Sequence, residues 1–458
     1  LMHNQLSPLK QWAQLSPSLL ALHHQETQYT WAELAQLVDE VSASLSAQGL
    51  ARGEVLTCVG KNSLDLLLAY LACMEIGAVC ALTMPQTQVE LETKLASLYM
   101  TGSERKVWVA PPDSMLSSFS TMTIAHADLA DYPACYQEDN LASIVFTSGS
   151  TGTPKAVAHT SAQHLASASG LLEKFTFKQS DSWLLSLPMY HVSGLAIIYR
   201  WLHAGATLKV GSGLLQEDIR YVTHASLVAT QLQRLLDSNT PLELTHVLLG
   251  GSHIPVSLSH KAEQQGIETW LGYGMTEAAS TVTSKRVDSD YTAGKVLPKR
   301  RVKLEGQRIY IGGETLASGY YQQGSLEPIV QDAWFDSKDL GEWKHGELKI
   351  IGRVDNLFIS GGENIHCEEI EAVLNQLPEV IQSIIVPIED KEFGHRPVAV
   401  IQSHQRLDIE CIEQRLGQSL TRFKWPVAYY ELPEFLCQTG IKVSRKAVKD
   451  WLLNQIDK

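Results

Sequence analysis

The pattern of apolar and polar positions predicts an α/β chain before any motif is considered. Tyr29-Thr30-Trp31-Ala32-Glu33 predicts a helix start, with Thr30 as N-cap and Glu33 closing a capping box. Apolar residues follow at helical spacing (Leu34, Leu37, Val38, Val41, Leu45) up to a stop at Gly49. Residues 64–82 form the most apolar window. Asp65 and Glu75 interrupt it and Gly77 breaks it, which predicts a buried helix and then a strand over 78–83 rather than a membrane span. Residues 141–146 and 156–159 read as two buried strands around a polar loop. Strand and helix signals alternate to about residue 290, as α/β layers with largely parallel sheets require. Residues 111–136 are rich in Pro, Ser and Asp and read as a loop. After Gly294 short β-like runs appear at 302–304, 308–312 and 347–351, separated by Gly- and Asp-rich turns. A tail of mixed helix and strand signals follows Asp355.

Composition narrows the class of partner. The chain has 458 residues, 44% hydrophobic and 19% charged, which fits more than one folded domain of ordinary globular make-up. Its net charge of -13 disfavours nucleic acid and anionic membranes, so an anionic ligand must be met by local cations. Seven cysteines (58, 73, 80, 135, 367, 411, 437) form no C-x-x-C pair, which suits a reducing cytoplasm and argues against zinc. The start, Leu1-Met2-His3-Asn4, does not read as a signal peptide.

The loop between the 141–146 and 156–159 strands is Thr147-Ser148-Gly149-Ser150-Thr151-Gly152-Thr153-Pro154-Lys155. Glycines let backbone N–H groups turn toward an anion, hydroxyls add donors and Lys155 adds charge, a chemistry suited to a polyphosphate. A Walker A loop would run into a helix, whereas strand-like residues follow Lys155. On composition alone a solvated hairpin loop fits equally well. Three further stretches carry chemistry. Gly272-Tyr273-Gly274-Met275-Thr276-Glu277 offers a ring for stacking and oxygens for phosphate and metal. Leu248-Leu249-Gly250-Gly251-Ser252 reads as a tight strand-to-helix turn. Arg200 lies in a helix-like run, 194–202, with almost no other charge. Positions 196, 197, 203 and 204 are Ala, Ile, His and Ala, so no acid lies one turn away. Either a distant carboxylate pairs with Arg200 or it points at an anionic ligand.

Together these stretches resemble the adenylate-forming enzymes: acyl-CoA synthetases, adenylation domains and luciferases. The resemblance implies that Thr147, Ser148, Gly149, Ser150, Thr151, Gly152 and Lys155 hold the phosphates of ATP, with Thr147 counted among the catalytic residues. It implies that Gly250, Gly251 and Ser252 line the adenine, that Gly272, Tyr273, Gly274 and Thr276 contact adenine and the α-phosphate, and that Glu277 binds Mg²⁺. Asp339 and Arg353 match the ribose contacts, although Ser337-Lys338 stands where the family has Thr-Gly. Lys442, in Gly440-Ile441-Lys442-Val443-Ser444-Arg445, matches the mobile catalytic lysine, with Ile441 in place of the usual glycine. Asp355 matches the hinge, and Ser360, Gly361 and Gly362 match the tunnel for the pantetheine arm of coenzyme A. His191 and Ser193, in Pro188-Met189-Tyr190-His191-Val192-Ser193-Gly194, match the acyl pocket together with Thr276. For His191 a satisfied core histidine is an equal alternative.

The implied fold is α/β, with a large N-terminal domain (1–354) of layered sheets and a small β-barrel part, and a small mobile α+β C-terminal domain (355–458). The implied activity is an AMP-forming acid–CoA ligase using ATP, Mg²⁺ and coenzyme A in the cytoplasm, with small molecules rather than nucleic acid or membrane as partners. Homo-oligomerisation stays open. Residues 183–205, 225–236, 355–363 and 439–451 resemble the branch that acts on o-succinylbenzoate, a dicarboxylate of menaquinone biosynthesis. On that reading Arg200 holds the carboxylate that is not activated. A ligase for another acid, a free-standing adenylation domain, and a non-catalytic nucleotide binder are the rivals.

Overall fold

The computed structural model describes residues 5–126, 128, 131–147, 154–250, 253–437 and 443–457. Two large sheets form its layers. The first has seven strands. Four of them, Lys106–Val109, Val55–Val59, Val79–Thr83 and Leu141–Thr147, run parallel in that spatial order. Lys155–Thr160 then pairs antiparallel with Leu141–Thr147, and two further antiparallel strands complete that edge. The second sheet has nine strands. Leu20–His24, Thr207–Val210, Ser182–Leu184, His224–Val228, His246–Gly250 and Glu268–Met275 are its parallel run, with antiparallel neighbours at both edges. The parallel centre and hairpin edges follow from connection length: helices carry the crossovers and tight turns build the margins.

One core joins the two layers. It mixes Leu56, Cys80 and Val145 of the first sheet with Leu22, Trp183 and Leu208 of the second. Helices Trp31–Ala47, Leu64–Ile76 and Val192–Ala204 contribute to it. The Trp31–Ala47 helix starts with the expected Thr30–Glu33 capping box. Leu64–Ile76 is buried at every residue from Leu66 to Ile76, which explains the absence of a polar stripe in its sequence. Gly77, at φ 81°, takes the left-handed conformation that ends the helix and admits the Val79–Thr83 strand. Glu75 is the exception inside this helix. Burial pushes its carboxyl up to about 7, and the Ser7 hydroxyl donates to it.

The β runs after Gly294 form a four-stranded antiparallel sheet in the order Arg300–Glu305, Arg308–Gly313, Phe335–Lys344, Glu347–Arg353. Beyond it, Leu357–Ser360, Glu363–His366, Val380–Asp390, Gly394–Ser403 and Ala428–Glu431 make a five-stranded sheet. Alternation along its strands gives two apolar faces. Ile385, Ala399 and Ile401 pack on helices Cys367–Leu374 and Ile409–Ser419. Ile384, Val386 and Val400 pack on Arg445–Ile456. No helix among the described residues is long and apolar enough to cross a membrane.

A buried polar cluster sits between the Lys155–Thr160 strand and the Ser161–Leu172 helix. The His164 ring stacks on Tyr199 at 4.4 Å and shares a hydrogen bond with the Ser143 hydroxyl at 2.7 Å. Beside it, His159 has neither ring nitrogen hydrogen-bonded among the described residues, and burial lowers its pKa to about 3. The folded protein therefore holds His159 neutral, while an unfolded chain takes up a proton below about 6.5. Its contribution is complete above that pH and is lost progressively as pH falls toward about 3, at up to about 1.4 kcal/mol per pH unit. His159→Phe should therefore flatten the acid side of the stability profile. Melting temperatures of both proteins at pH 7 and pH 5 test this, and an unchanged pH 7-to-5 drop in the variant counts against it.

Candidate functional site

The rim formed by the carboxyl ends of the parallel strands carries the candidate residues, where open α/β sheets bind ligands. Leu141–Thr147 and Lys155–Thr160 form a hairpin with Thr147 directly opposite Lys155. Those two residues are the feet of the predicted phosphate loop. Ser148, Gly149, Ser150, Thr151 and Gly152 lie outside the described residues, as do Gly251, Ser252 and Lys442.

The Lys155 ammonium sits over the Tyr320 ring, 4.6 Å from its centroid. The Tyr320 hydroxyl donates to Glu277 Oε2 at 3.1 Å. One tyrosine thus joins the lysine expected on phosphate to the carboxylate expected on the metal. Glu277 occupies a tight turn, Thr276–Ala278, between strands Glu268–Met275 and Ser280–Arg286. Ala279 and Ser280 reverse the chain there in left-handed conformations, φ 54° and 84°. Ser167 Oγ donates to the Ala279 carbonyl at 2.6 Å, and Arg300 donates to Ser167, which fixes the turn. Gly272 and Gly274 are dictated by this sheet: a Cβ at either would strike the backbone of the returning strand. Gly250 ends the neighbouring parallel strand at the same rim.

A second group forms around Asp339. The Tyr273 hydroxyl donates to its carboxylate, and Arg353 Nη1 lies 3.2 Å from Oδ1. Burial and that carboxylate push the Tyr273 phenol up. The departure Ser337-Lys338 has a local explanation. Ser337 Oγ accepts from the Asp339 N–H at 3.0 Å and donates to the Ile309 carbonyl at 2.6 Å, while Lys338 itself takes the left-handed conformation, φ 58°, that a glycine would. Arg353 also pairs with Asp355 at 3.3 Å. The predicted hinge thus begins in an ion pair with a predicted ribose ligand.

The third group lies on the Val192–Ala204 helix. Asn62 holds the loop before it, donating to the Leu187 carbonyl and accepting from Met189 N–H, both at 2.8 Å. Gly194 is required because a Cβ there would overlap the Pro188 carbonyl. His191 caps the helix, its Nε2 is buried with no partner among the described residues, and burial lowers its pKa. Among the described residues it therefore makes no side-chain hydrogen bond. Ser193 and Arg200 stand seven residues apart, on one face and about 10 Å apart along the axis. Arg200 is 3% exposed. Its guanidinium faces the Trp183 ring at 5.1 Å, Nε has no hydrogen bond, and no carboxylate pairs with it among the described residues. Burial and the nearby Arg300 lower its pKa to about 9. A distant acidic partner, the bland alternative, is absent from the described residues.

Ser360, Gly361 and Gly362 form a hairpin turn between Leu357–Ser360 and Glu363–His366, Ser360 opposite Glu363. Both glycines have positive φ, 56° and 84°, as a type I′ turn demands. No hydrogen bond or ion pair among the described residues joins this turn to the Lys155–Tyr320–Glu277 group. Arg445, three residues beyond Lys442, pairs with Glu371 and, at 3.8 Å, with Glu368.

The AMP-binding enzyme family matches residues 9–321. The chain belongs to that family. The 2-succinylbenzoate–CoA ligase of Escherichia coli K12 is 41% identical over 454 residues, 98% of each chain. Its counterpart in Haemophilus influenzae is 40% identical, covering 92% of each. Among solved structures, an arginine-to-lysine variant of E. coli MenE with bound OSB-AMS superposes with a TM-score of 0.90 at 40% identity, covering 99% of this chain and all of the other. Bacillus subtilis MenE with ATP and magnesium ion gives 0.80 at 26% identity, covering 94% of this chain and 96% of that one.

For an AMP-binding enzyme the metal expectation can be tested on the residues. Glu277 keeps one carboxylate oxygen without a partner among the described residues. No group of three or more His, Cys, Asp or Glu gathers there or elsewhere in them. One free carboxylate beside a phosphate loop fits Mg²⁺, which is held by few protein oxygens plus substrate phosphates. The sequence reading missed Tyr320 and Trp183, because neither stands in a stretch with a chemical pattern of its own. Tyr320→Phe keeps the ring under Lys155 and removes only the bond to Glu277. The expected result is a KM for Mg·ATP raised by about tenfold, one hydrogen bond to a charged group, with the melting temperature unchanged. Steady-state kinetics with ATP varied check this.

Proposed function

We propose that this AMP-binding enzyme converts 2-succinylbenzoate, ATP and CoA to 2-succinylbenzoyl-CoA, AMP and pyrophosphate, a step of menaquinone biosynthesis, in the cytoplasm and with small molecules as its partners. The observation that carries the substrate is Arg200. A buried guanidinium with no carboxylate paired to it among the described residues is costly, and a dicarboxylic acid supplies an anion on binding. Ser193, on the same helical face, stands toward the end where the other carboxylate reacts.

The reaction has two halves. The carboxylate of the acid attacks the α-phosphorus of ATP, and the bond from that phosphorus to the bridging oxygen breaks, releasing pyrophosphate. Thr147, Lys155 and the loop between them hold the departing phosphates. Mg²⁺ neutralises phosphate charge when bound. Glu277 offers it a carboxylate oxygen, and Tyr320 orients that carboxylate. Tyr273, Asp339 and Arg353 fix the nucleoside. Lys442 bridges the carboxylate and the α-phosphate, offsetting repulsion between two anions. In the second half the CoA thiol loses its proton and its sulfur attacks the acyl carbon; the bond from that carbon to the phosphate oxygen breaks, and AMP leaves with the oxygen and the bonding pair. The chain divides near Asp355 into parts 1–354 and 355–458. Rotation there withdraws Lys442 and brings up the Ser360–Gly362 turn.

The direct test is acid-dependent exchange of labelled pyrophosphate into ATP, followed by CoA thioester formation, across a panel of acids. 2-Succinylbenzoate should give the highest kcat/KM, and a monocarboxylate that outperforms it overturns the substrate. Arg200→Ala should raise the KM for 2-succinylbenzoate about a hundredfold, the scale of a lost bidentate charge pair, without altering the KM for ATP. A sharp fall in melting temperature with an unchanged KM makes Arg200 structural instead. Lys442→Ala should abolish exchange yet spare thioester formation from supplied acyl-adenylate. Equal loss in both halves rejects the two-closure mechanism.

A further inference from the structure

A second cation stands near the predicted phosphate-loop hairpin with no ion pair among the described residues. Lys94 projects from the Gln88–Leu98 helix and lies over the Phe146 ring, 5.1 Å from its centroid. Phe146 adjoins Thr147 on the strand, so Lys94 stands at the same end of the hairpin as Lys155, on the sheet face that Phe146 presents rather than the one that Thr147 and Lys155 share. The obvious partner for Lys94 is Glu90, one turn back. That carboxylate closes the helix cap, its Oε1 accepting from the Thr87 hydroxyl at 2.6 Å, and it acts on Lys94 through space without forming an ion pair with it. Lys94 has no ion pair among the described residues. Its single hydrogen bond, at 2.9 Å, goes to Thr83 Oγ1 at the carboxyl end of the Val79–Thr83 strand. Gln86 Nε2 donates to the same oxygen, also at 2.9 Å. Both lone pairs of that hydroxyl are used, and its proton has no acceptor among the described residues. Thus an ammonium with spare protons and a buried hydroxyl lie together at the carboxyl end of the Val79–Thr83 strand. Burial lowers the Lys94 pKa, and its charge helps to lower that of His191.

We infer that Lys94, with the Thr83 hydroxyl, binds a phosphate group of a substrate, and that it is a second phosphate contact beside Lys155. The inference rests on reading residues 147–155 as the phosphate loop. ATP and CoA both carry phosphates, and the hairpin position favours the β- and γ-phosphates that leave as pyrophosphate. Lys94→Met keeps the aliphatic stem on Phe146 and removes the charge. Lys94→Arg keeps the charge.

Three measurements on the full-length protein decide the matter. Titration of pyrophosphate should show binding weakened about tenfold in Lys94→Met and restored in Lys94→Arg, the effect of one charge-assisted hydrogen bond. The KM for pyrophosphate in the exchange reaction should rise by the same factor. The KM for CoA, measured with supplied acyl-adenylate, should stay constant. A rise in the CoA value alone assigns the phosphate to CoA and overturns the ATP assignment. If none of these values moves, or if a fall in melting temperature accounts for the loss and arginine does not restore it, Lys94 only supports Phe146 and the inference fails. Wild-type protein that shows no acid-dependent exchange refutes the adenylation reading instead, and the pyrophosphate titration still judges Lys94.

Discussion

Parallel strand pairing is the constraint on which the site depends. Strands that share a direction must end on the same side, so six strands of one sheet and four of the other deliver their following loops to common rims. Residues far apart in sequence meet for that reason. Thr83, Thr147 and Gly250 each end a parallel strand, and Thr276-Glu277 follows the end of another. The hairpin partners at the edges then fold back and fix what the ends present. Lys155 is set opposite Thr147 by strand register, and Glu277 is set by the reversal into Ser280–Arg286.

Among the described residues, no ion pair with a carboxylate holds the three cations at this rim. Lys155 rests on Tyr320, Lys94 on Phe146 and Arg200 on Trp183. Aromatic faces hold a cation in place without neutralising it, so each keeps its capacity for an incoming anion. That resolves the tension between a net charge of -13 and three anionic substrates. Asp339 is handled in the opposite way. Its hydrogen bonds to Tyr273 and Arg353 fix its orientation for ligand hydroxyls.

Much of this was legible in the sequence because the signals were local. The Thr30–Glu33 box, the Gly77 stop and the hairpin around the phosphate loop each follow from a few adjacent residues. For Arg200 the absence of an acid one turn away is a local fact, and the structure adds that no carboxylate pairs with it among the described residues. What escaped depends on tertiary placement. Tyr320 reaches Lys155 and Glu277 only because its strand pairs antiparallel with Lys155–Thr160. Lys94 stands in no motif, and only the structure shows that the glutamate four residues before it closes the helix cap. Ser337-Lys338 looked like a defect in a motif, and backbone geometry made it an equivalent.

The helix carrying Ser193 and Arg200 has a consequence for how acid preference can evolve. Side chains on one face of a helix recur only at positions three or four residues apart, so the span between the two groups is quantised. The intermediate settings would place the arginine at 196 or 197, now Ala and Ile, and the next at 203 or 204, now His and Ala. With Arg200 as the proposed anchor, a shorter or longer diacid cannot be accommodated by its gradual drift. Selectivity for acid length would change in steps of about 5 Å, each requiring a new buried cation and the loss of the old one.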